Sequence, residues 1–171
     1  AAHIIKIRSA AAFEVIDFMP RYKTEEGLYY NAPEIYRYIR YISGRPAARF
    51  RFKPALNYAI SPTKTVQNSK FIKSYNLKGS YDSIYLYTDF DFEDLLKENE
   101  IEITKNGYFL ITYNQKLIKI NIQRVYLDYQ RTKVYWMNWV DRTTTFPLYQ
   151  DEIIRSALVL KLLTYNRTGA I

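Results

Sequence analysis

Residues 35–54 read "IYRYIRYISGRPAARFRFKP", and this stretch predicts β structure. From Ala48 to Lys53, apolar residues alternate with cationic residues. A period of two is typical of a strand with one buried face and one cationic face in water. The run from Ile35 to Ile42 is rich in tyrosine and isoleucine, which predicts a second strand. Gly44 and Pro46 predict a turn that joins the two strands as neighbours.

Other β-prone runs surround this stretch. Asn106-Gly107 stands between "IEIT" and "YFLITY", and this dipeptide predicts a hairpin because both residues tolerate positive φ. Further predicted strands are Phe13 to Phe18, a weaker run from Thr65 to Tyr75, Ser83 to Thr88, and Leu117 to Ile122. Short strands separated by turns predict an antiparallel β-sandwich, because a parallel sheet would need helices between its strands.

The period changes after about Gln123. Apolar side chains then recur at steps of three and four residues, which predicts a helix; they are Val125, Tyr129, Thr132, Trp136 and Trp139. A second helix is predicted from Asp151, with Gly169 placed to end it. Its apolar residues occupy nearly every face; they are Ile153, Ile154, Ala157, Leu158, Val159, Leu160, Leu162 and Leu163. Such a helix belongs inside a large helical body, so we expect further helices encoded after Ile171.

Length and composition narrow the class of protein. The chain has 171 residues and no cysteine, which suits one domain with a core that needs no disulfide. We expect a cytoplasmic protein without a membrane partner, because no run resembles a membrane span or a secretory signal. A homo-oligomer is compatible with these observations.

Several motifs, in order, resemble glycoside hydrolase family 15, which includes glucoamylases, glucodextranases and related trehalases. The run "RSALVLKLLTYNRTGAI" at residues 155–171 resembles the opening helix of the family's catalytic barrel. The tryptophans of "WMNWV" resemble those of the helix that precedes the barrel. The remaining matches are Asp17, Phe18, Met19 and Pro20, followed by Arg37, Arg40, Gly44, Pro46, Pro54 and Tyr58.

This resemblance implies a fold and a division of labour. Residues 1–123 would form the N-terminal β-sandwich, 124–150 a helical linker, and 151–171 the start of an (α/α)6 barrel that is otherwise absent. The family hydrolyses α-glucosidic bonds with inversion, using a carboxylic acid and a carboxylate on the barrel. We therefore expect the chain to be part of a longer enzyme whose partners are its own barrel and an α-glucoside. We assign no catalytic, cofactor-binding or metal-binding residue within it, and we expect no cofactor.

Other candidate sites have simpler explanations. Carboxylates alternate in "DFDFED", at Asp89, Asp91, Glu93 and Asp94, but the run lacks the glycine and distal glutamate of a calcium loop. His3 is the only histidine, so a zinc site or a Ser-His-Asp triad is not expected. Glu152 suits a helix N-terminus. We expect Trp136 and Trp139 to pack the linker helix rather than bind sugar.

Two alternatives to the hydrolase interpretation stay open. The tyrosines and tryptophans could make a stand-alone carbohydrate-binding sandwich. The net charge of +8 and 18 tyrosines could indicate a nucleic-acid-binding domain. We expect no nucleic acid, because charge alone marks many proteins that do not bind it. The arginines in question, Arg37, Arg40, Arg49 and Arg51, are predicted to lie on a solvated sheet face or to pair with the barrel.

Overall fold

The structure is a computed structural model, and it describes residues 2–6, 11–79 and 81–164. The described part is mainly β, and its helices follow the strands. The strands are β1 (Ala2–Lys6), β2 (Ala12–Phe18), β3 (Tyr22–Lys23), β4 (Tyr29–Tyr30), β5 (Glu34–Ser43), β6 (Ala47–Arg49), β7 (Thr63–Gln67), β8 (Ile72–Asn76), β9 (Ser83–Thr88), β10 (Glu100–Glu102) and β11 (Gly107–Tyr113). The helices are α1 (Phe92–Leu96), α2 (Ile122–Val140) and α3 (Gln150–Leu163).

Seven strands form one antiparallel sheet in the order β1-β2-β5-β11-β9-β8-β7. The last strand of the described ranges, β11, lies in the middle of this sheet, between β5 and β9. Two smaller sheets pair β6 with β10 and β3 with β4. The antiparallel, mainly β class is therefore confirmed. The β layer that covers one face of the large sheet is the short β6–β10 pair.

One face of the large sheet packs against α2. The buried cluster on this face includes Tyr36, Tyr38 and Leu110 from the sheet and Val125 from α2. These four side chains are at most 3% exposed, and the other buried members of the cluster are at most 8% exposed. Burying such side chains stabilises the fold by about 1.5–3 kcal/mol each, which explains why α2 lies along the sheet.

The opposite face packs against the β6–β10 pair and α1. Its cluster contains Ile39, Leu86 and Phe109 from the sheet, together with Leu95 from α1 and Ile103 after β10. Phe50 and Phe52 pack against this cluster, whereas Arg49, Arg51 and Lys53 are exposed. The alternation predicted from residue 48 onward is thus confirmed, although regular β6 ends at Arg49.

The prediction that β5 and β6 are paired neighbours is wrong. A turn follows β5, and Gly44 has a φ of 70° there. However, β5 pairs with β2 and β11, while β6 pairs with β10 in the separate short sheet. Phe50, just after β6, contacts the rings of Phe90 and Phe109, so the chain crosses onto the face of the sheet instead of extending its edge.

The predicted hairpin at Asn106-Gly107 is also wrong. β10 pairs with β6, and β11 pairs with β5 and β9, so the two strands beside this dipeptide are not partners. The Asn106 side-chain oxygen accepts a hydrogen bond from the Tyr41 backbone N–H at 2.9 Å. Gly107 is needed for space, because an added Cβ would lie 2.5 Å from the ring of Phe90.

The strand predicted from Leu117 to Ile122 is a loop that leads into α2. The Tyr87 hydroxyl accepts a hydrogen bond from the Leu117 N–H at 2.8 Å, which takes the place of a strand partner. Leu117 and Ile120 pack against the core, whereas Ile118 is 90% exposed. The weaker run from Thr65 to Tyr75 contains parts of two strands, β7 and β8, rather than one.

Both predicted helices are present. α2 begins after Asn121, whose side chain accepts a hydrogen bond from the Arg124 N–H, as an N-cap does. α3 ends at Leu163, and the predicted stop at Gly169 lies outside the described residues. None of the helices in the described ranges combines the length and the apolar character that a bilayer crossing requires.

Candidate functional site

A buried polar network fastens α2 to the sheet. The Tyr36 hydroxyl, on β5, lies 2.8 Å from Oε2 of Glu34 and 3.1 Å from Oδ2 of Asp128 on α2. Glu34 is 0% exposed and Asp128 is 3% exposed. Buried carboxylates are costly unless they are hydrogen-bonded, so these contacts fix the position of the helix.

Further donors surround the same two carboxylates. The Tyr30 hydroxyl donates to Glu34 at 3.1 Å, and the Tyr22 hydroxyl donates to Asp128 at 3.0 Å. Arg124, one turn before Asp128 on α2, lies 3.4 Å from Glu34 and 3.5 Å from Asp128. A single guanidinium thus serves both carboxylates, and three phenols supply the remaining hydrogen bonds.

The tyrosines act here as neutral donors. Burial, and after it the negative charge of Glu34, raises the pKa of Tyr36 and of Tyr30 well above the ordinary value of 10.0. Burial also raises the pKa of Tyr22, with the charge of Asp128 as the next cause. A glycosidase needs carboxyl groups that can reach a sugar. Glu34 and Asp128 are sealed inside the protein, so this network holds the helix in place.

A cleft rich in cations lies between the β3–β4 pair, α2 and α3. We call it the cationic cleft. It has a volume of about 480 Å³, and its lining includes Lys23, Arg131, Arg142 and Lys161. Aromatic rings lie beneath Lys23, Arg131 and Lys161. Nζ of Lys161 lies 4.8 Å from the centre of the Trp139 ring, and Cζ of Arg131 lies 5.1 Å from that of Tyr22.

A second cleft lies between α2, α3 and the end of β2. It encloses about 680 Å³, and its apolar side chains include Phe18, Met19, Trp136, Leu158 and Leu162; we call it the apolar groove. Met19 is 59% exposed and Leu162 is 63% exposed, so the groove is open to solvent.

The faces of α3 are as apolar as the sequence predicts, and they are largely uncovered. No residue of this helix is buried among the described residues. Val159, Leu160, Leu162 and Leu163 are each 49–63% exposed. An apolar patch of this kind on a folded domain marks an interaction surface.

Three of the four predicted arginines pair with carboxylates inside the domain. Two nitrogens of Arg37 lie 2.8 Å from the two carboxylate oxygens of Asp17, which is directly opposite on β2. Arg40 pairs with Glu14, and Arg51 pairs with Glu98. The side chains of Arg37, Arg40 and Arg51 are also 49–71% exposed, in agreement with the predicted solvated sheet face, and pairing with the barrel stays a prediction. Arg49 is exposed.

The acidic run at residues 89–94 forms a helix cap. The Asp91 side chain accepts hydrogen bonds from the N–H groups of Glu93 and Asp94 at the start of α1. Asp89 accepts from the Tyr108 N–H at 2.9 Å, and burial raises its pKa above 3.8. Across the described ranges, no cluster of three histidine, cysteine or carboxylate side chains could hold a metal ion.

The remaining candidates have structural surroundings. Trp136 lines the apolar groove and meets Tyr135 edge-on, and Trp139 lies under Lys161. Both side chains are half-buried, and their packing role stays a prediction. His3 lies in β1, paired with Val15 of β2. Glu152 lies in the first turn of α3.

Sequence reasoning missed the buried network. Asp128 lies three residues after Val125 and four before Thr132, on the face that was predicted to be buried. A carboxylate at such a position must have buried donors, which was the available signal. Glu34 gave no comparable signal, because it stands at the start of a strand.

The architecture defines a class: a β domain that carries an anchored helix and presents a second, uncovered helix. Comparison with known proteins narrows this class. The chain is 27% identical over 158 residues to a trehalase of Thermoplasma acidophilum, covering 90% of the chain and 26% of that protein. It is 26% identical over 159 residues to a trehalase of Thermoplasma volcanium, covering 90% of the chain and 24% of that protein. The chain thus spans about a quarter of the length of these relatives. No protein-family model and no solved structure matches it.

Proposed function

We propose that the chain is the non-catalytic N-terminal region of a trehalase-like enzyme of glycoside hydrolase family 15. In this proposal, residues 1–123 are the β domain, 124–150 are the linker, and 151–171 begin the (α/α)6 catalytic barrel. The observation that carries the proposal is the similarity to two trehalases over 90% of the chain. The order of the family-like motifs supports it independently.

The state of α3 also supports the proposal. A first barrel helix has neighbours on several sides, so without them its leucines would be exposed, as they are here. The buried network gives the domain its role. It holds α2 rigidly on the sheet, and α2 in turn positions the segment that leads into α3. The domain therefore supports the barrel and sets the direction in which it begins.

Catalysis in this proposal belongs to the barrel. One carboxylic acid protonates the leaving oxygen, and a carboxylate across the sugar ring activates water, which inverts the anomeric carbon. Trehalose is the proposed substrate because both relatives are trehalases. The carboxylates of the present chain are poor candidates, because Glu34 and Asp128 are buried and Asp17 is engaged by Arg37.

The test is an assay of the full-length gene product. Glucose release from trehalose, maltose and longer maltooligosaccharides should be compared, and the anomer released first should be identified by NMR. We expect trehalose to be the best substrate. Its hydrolysis should release equal amounts of β-glucose, from the inverted sugar, and α-glucose, from the leaving sugar, before the two anomers equilibrate. No glucose from any of these α-glucosides would refute the proposal.

A further inference from the structure

We infer that the cationic cleft and the apolar groove, which both border α3, form one docking surface. Its occupant is a segment of the same polypeptide outside residues 1–171, and acidic side chains of this segment enter the cationic cleft. This inference rests on the proposed function, in which a helical barrel follows the present chain. It adds the chemistry of the contact: apolar around α3 and acidic opposite the cleft.

The first argument is charge. Some exposed cations of the domain pair with carboxylates, as Arg37, Arg40 and Arg45 do at 2.5–2.8 Å. The four cations of the cationic cleft differ. Within the described ranges, Lys23, Arg131, Arg142 and Lys161 form no salt bridge. Lys23 comes from β3, Arg131 from α2, Arg142 from the segment that follows α2, and Lys161 from α3. Folding therefore gathers four like charges, which carboxylates from elsewhere would neutralise.

The second argument is exposed apolar surface. Four side chains of α3 are about half exposed or more, and the apolar groove beside them is open. Covering these side chains would remove apolar surface from water, which favours docking. A small anion bound in the cationic cleft would leave these leucines in water, so the occupant has to be a polypeptide.

The third argument selects the same polypeptide over a second copy of this chain. The chain carries a net charge of +8, so two copies facing each other would bring two cationic clefts together. About three quarters of the length of each relative also lies outside the matched part, which is consistent with a covalently attached partner.

Carbodiimide cross-linking of the full-length protein tests this inference, because it joins lysines to carboxylates only in direct contact. We expect Lys23 and Lys161 to be joined to aspartate or glutamate residues beyond Ile171. Lys97 is the internal positive control, since it pairs with Glu93 on the same turn of chain. Lys64, exposed on the edge strand β7, is the negative control.

A charge-reversal variant gives a second readout. Arg142→Glu combined with Lys161→Glu should strongly reduce the cross-link at Lys23 and make proteolysis between α2 and α3 about tenfold faster, as expected for weakened docking. Lys64→Glu combined with Lys70→Glu changes the same net charge at exposed positions away from the clefts and should leave the proteolysis rate unchanged.

Three outcomes would overturn the inference. Cross-links from Lys161 confined to residues before Ile171, with Lys97 still joined to Glu93, would show that no acidic segment docks. Cross-links between differently isotope-labelled molecules would indicate a second copy. Absent cross-links with a sulfate-dependent rise in melting temperature would indicate a small-anion site. Glucose release is scored separately, so loss of the hydrolase proposal and loss of the docking surface remain distinguishable.

Discussion

The hydroxyl of Tyr36 lies 3.1 Å from Oδ2 of Asp128, a contact that joins strand β5 to helix α2 across 92 residues of sequence. The same hydroxyl lies 2.8 Å from Glu34, so one phenol links two buried carboxylates. This contact couples the sheet to the helix that carries α3, and its removal is the most direct way to loosen the domain.

Tyr36→Phe should lower the free energy of unfolding by about 2 kcal/mol, because hydrogen bonds to charged groups contribute about 1.5–3 kcal/mol and both acceptors stay buried. Urea denaturation of the protein measures the change. Tyr126→Phe is the matched control, since Tyr126 lies on α2 and is 50% exposed. Equal effects of the two substitutions would contradict a special role for the Tyr36 hydroxyl.

Gly107→Ala should destabilise the protein by about 1–3 kcal/mol, the usual cost of overpacking. The new Cβ would lie 2.5 Å from the Phe90 ring, and that ring is held between Phe50 and Phe109. Adding Phe90→Leu should recover much of the loss, giving a favourable coupling energy in a double-mutant cycle. Additive effects would show that the ring is not the obstacle.

Ala59→Gly should stabilise the protein by about 0.5–1 kcal/mol, because a left-handed non-glycine residue costs more than the extra freedom of glycine. Ala59 has a φ of 61°, and it follows Asn57 and Tyr58 at 49° and 52°. Ala55→Gly in the same exposed loop lacks a positive φ and should destabilise by a similar amount. Thermal unfolding of both variants decides the sign.

Alkaline conditions should unfold the protein cooperatively. Burial raises the pKa of Tyr108 from 10.0 to about 12, and burial likewise raises that of Tyr38 and Tyr87. The native state therefore keeps phenol protons that the unfolded chain has already released, so the contribution of these phenols to stability is constant below about pH 10 and is lost as the pH rises above it. Urea midpoints across this range measure the effect, and a flat profile would refute it.

The sequence predicted local patterns better than pairing. Alternation from Ala48 identified which side chains face the core, and the three- and four-residue spacing identified α2, since both depend on neighbours in the chain. The partner of each strand depends on distant residues. Asn106-Gly107 has the composition of a hairpin, but its glycine makes room for Phe90 and its asparagine binds the backbone of Tyr41.

The strand prediction from Leu117 to Ile122 was wrong for a related reason. Its apolar residues pack on the core like those of a strand, yet its backbone is satisfied by the Tyr87 hydroxyl rather than by a ladder. Nothing within the run distinguishes these two solutions. The apolar residues on nearly every face of α3, in contrast, could be predicted from local composition alone. The identity of the segment that covers them could not be predicted in this way.

The position of β11 has a consequence for how the polypeptide reaches its native state during synthesis. Strands β1, β2 and β5 form one half of the sheet and strands β7, β8 and β9 the other, and among the strands of the described ranges only β11 bridges them. The halves cannot be joined until Tyr113 has left the ribosome, so the nascent chain holds two open strand edges up to that point. The folding rate of this sheet should therefore depend most strongly on substitutions in β11.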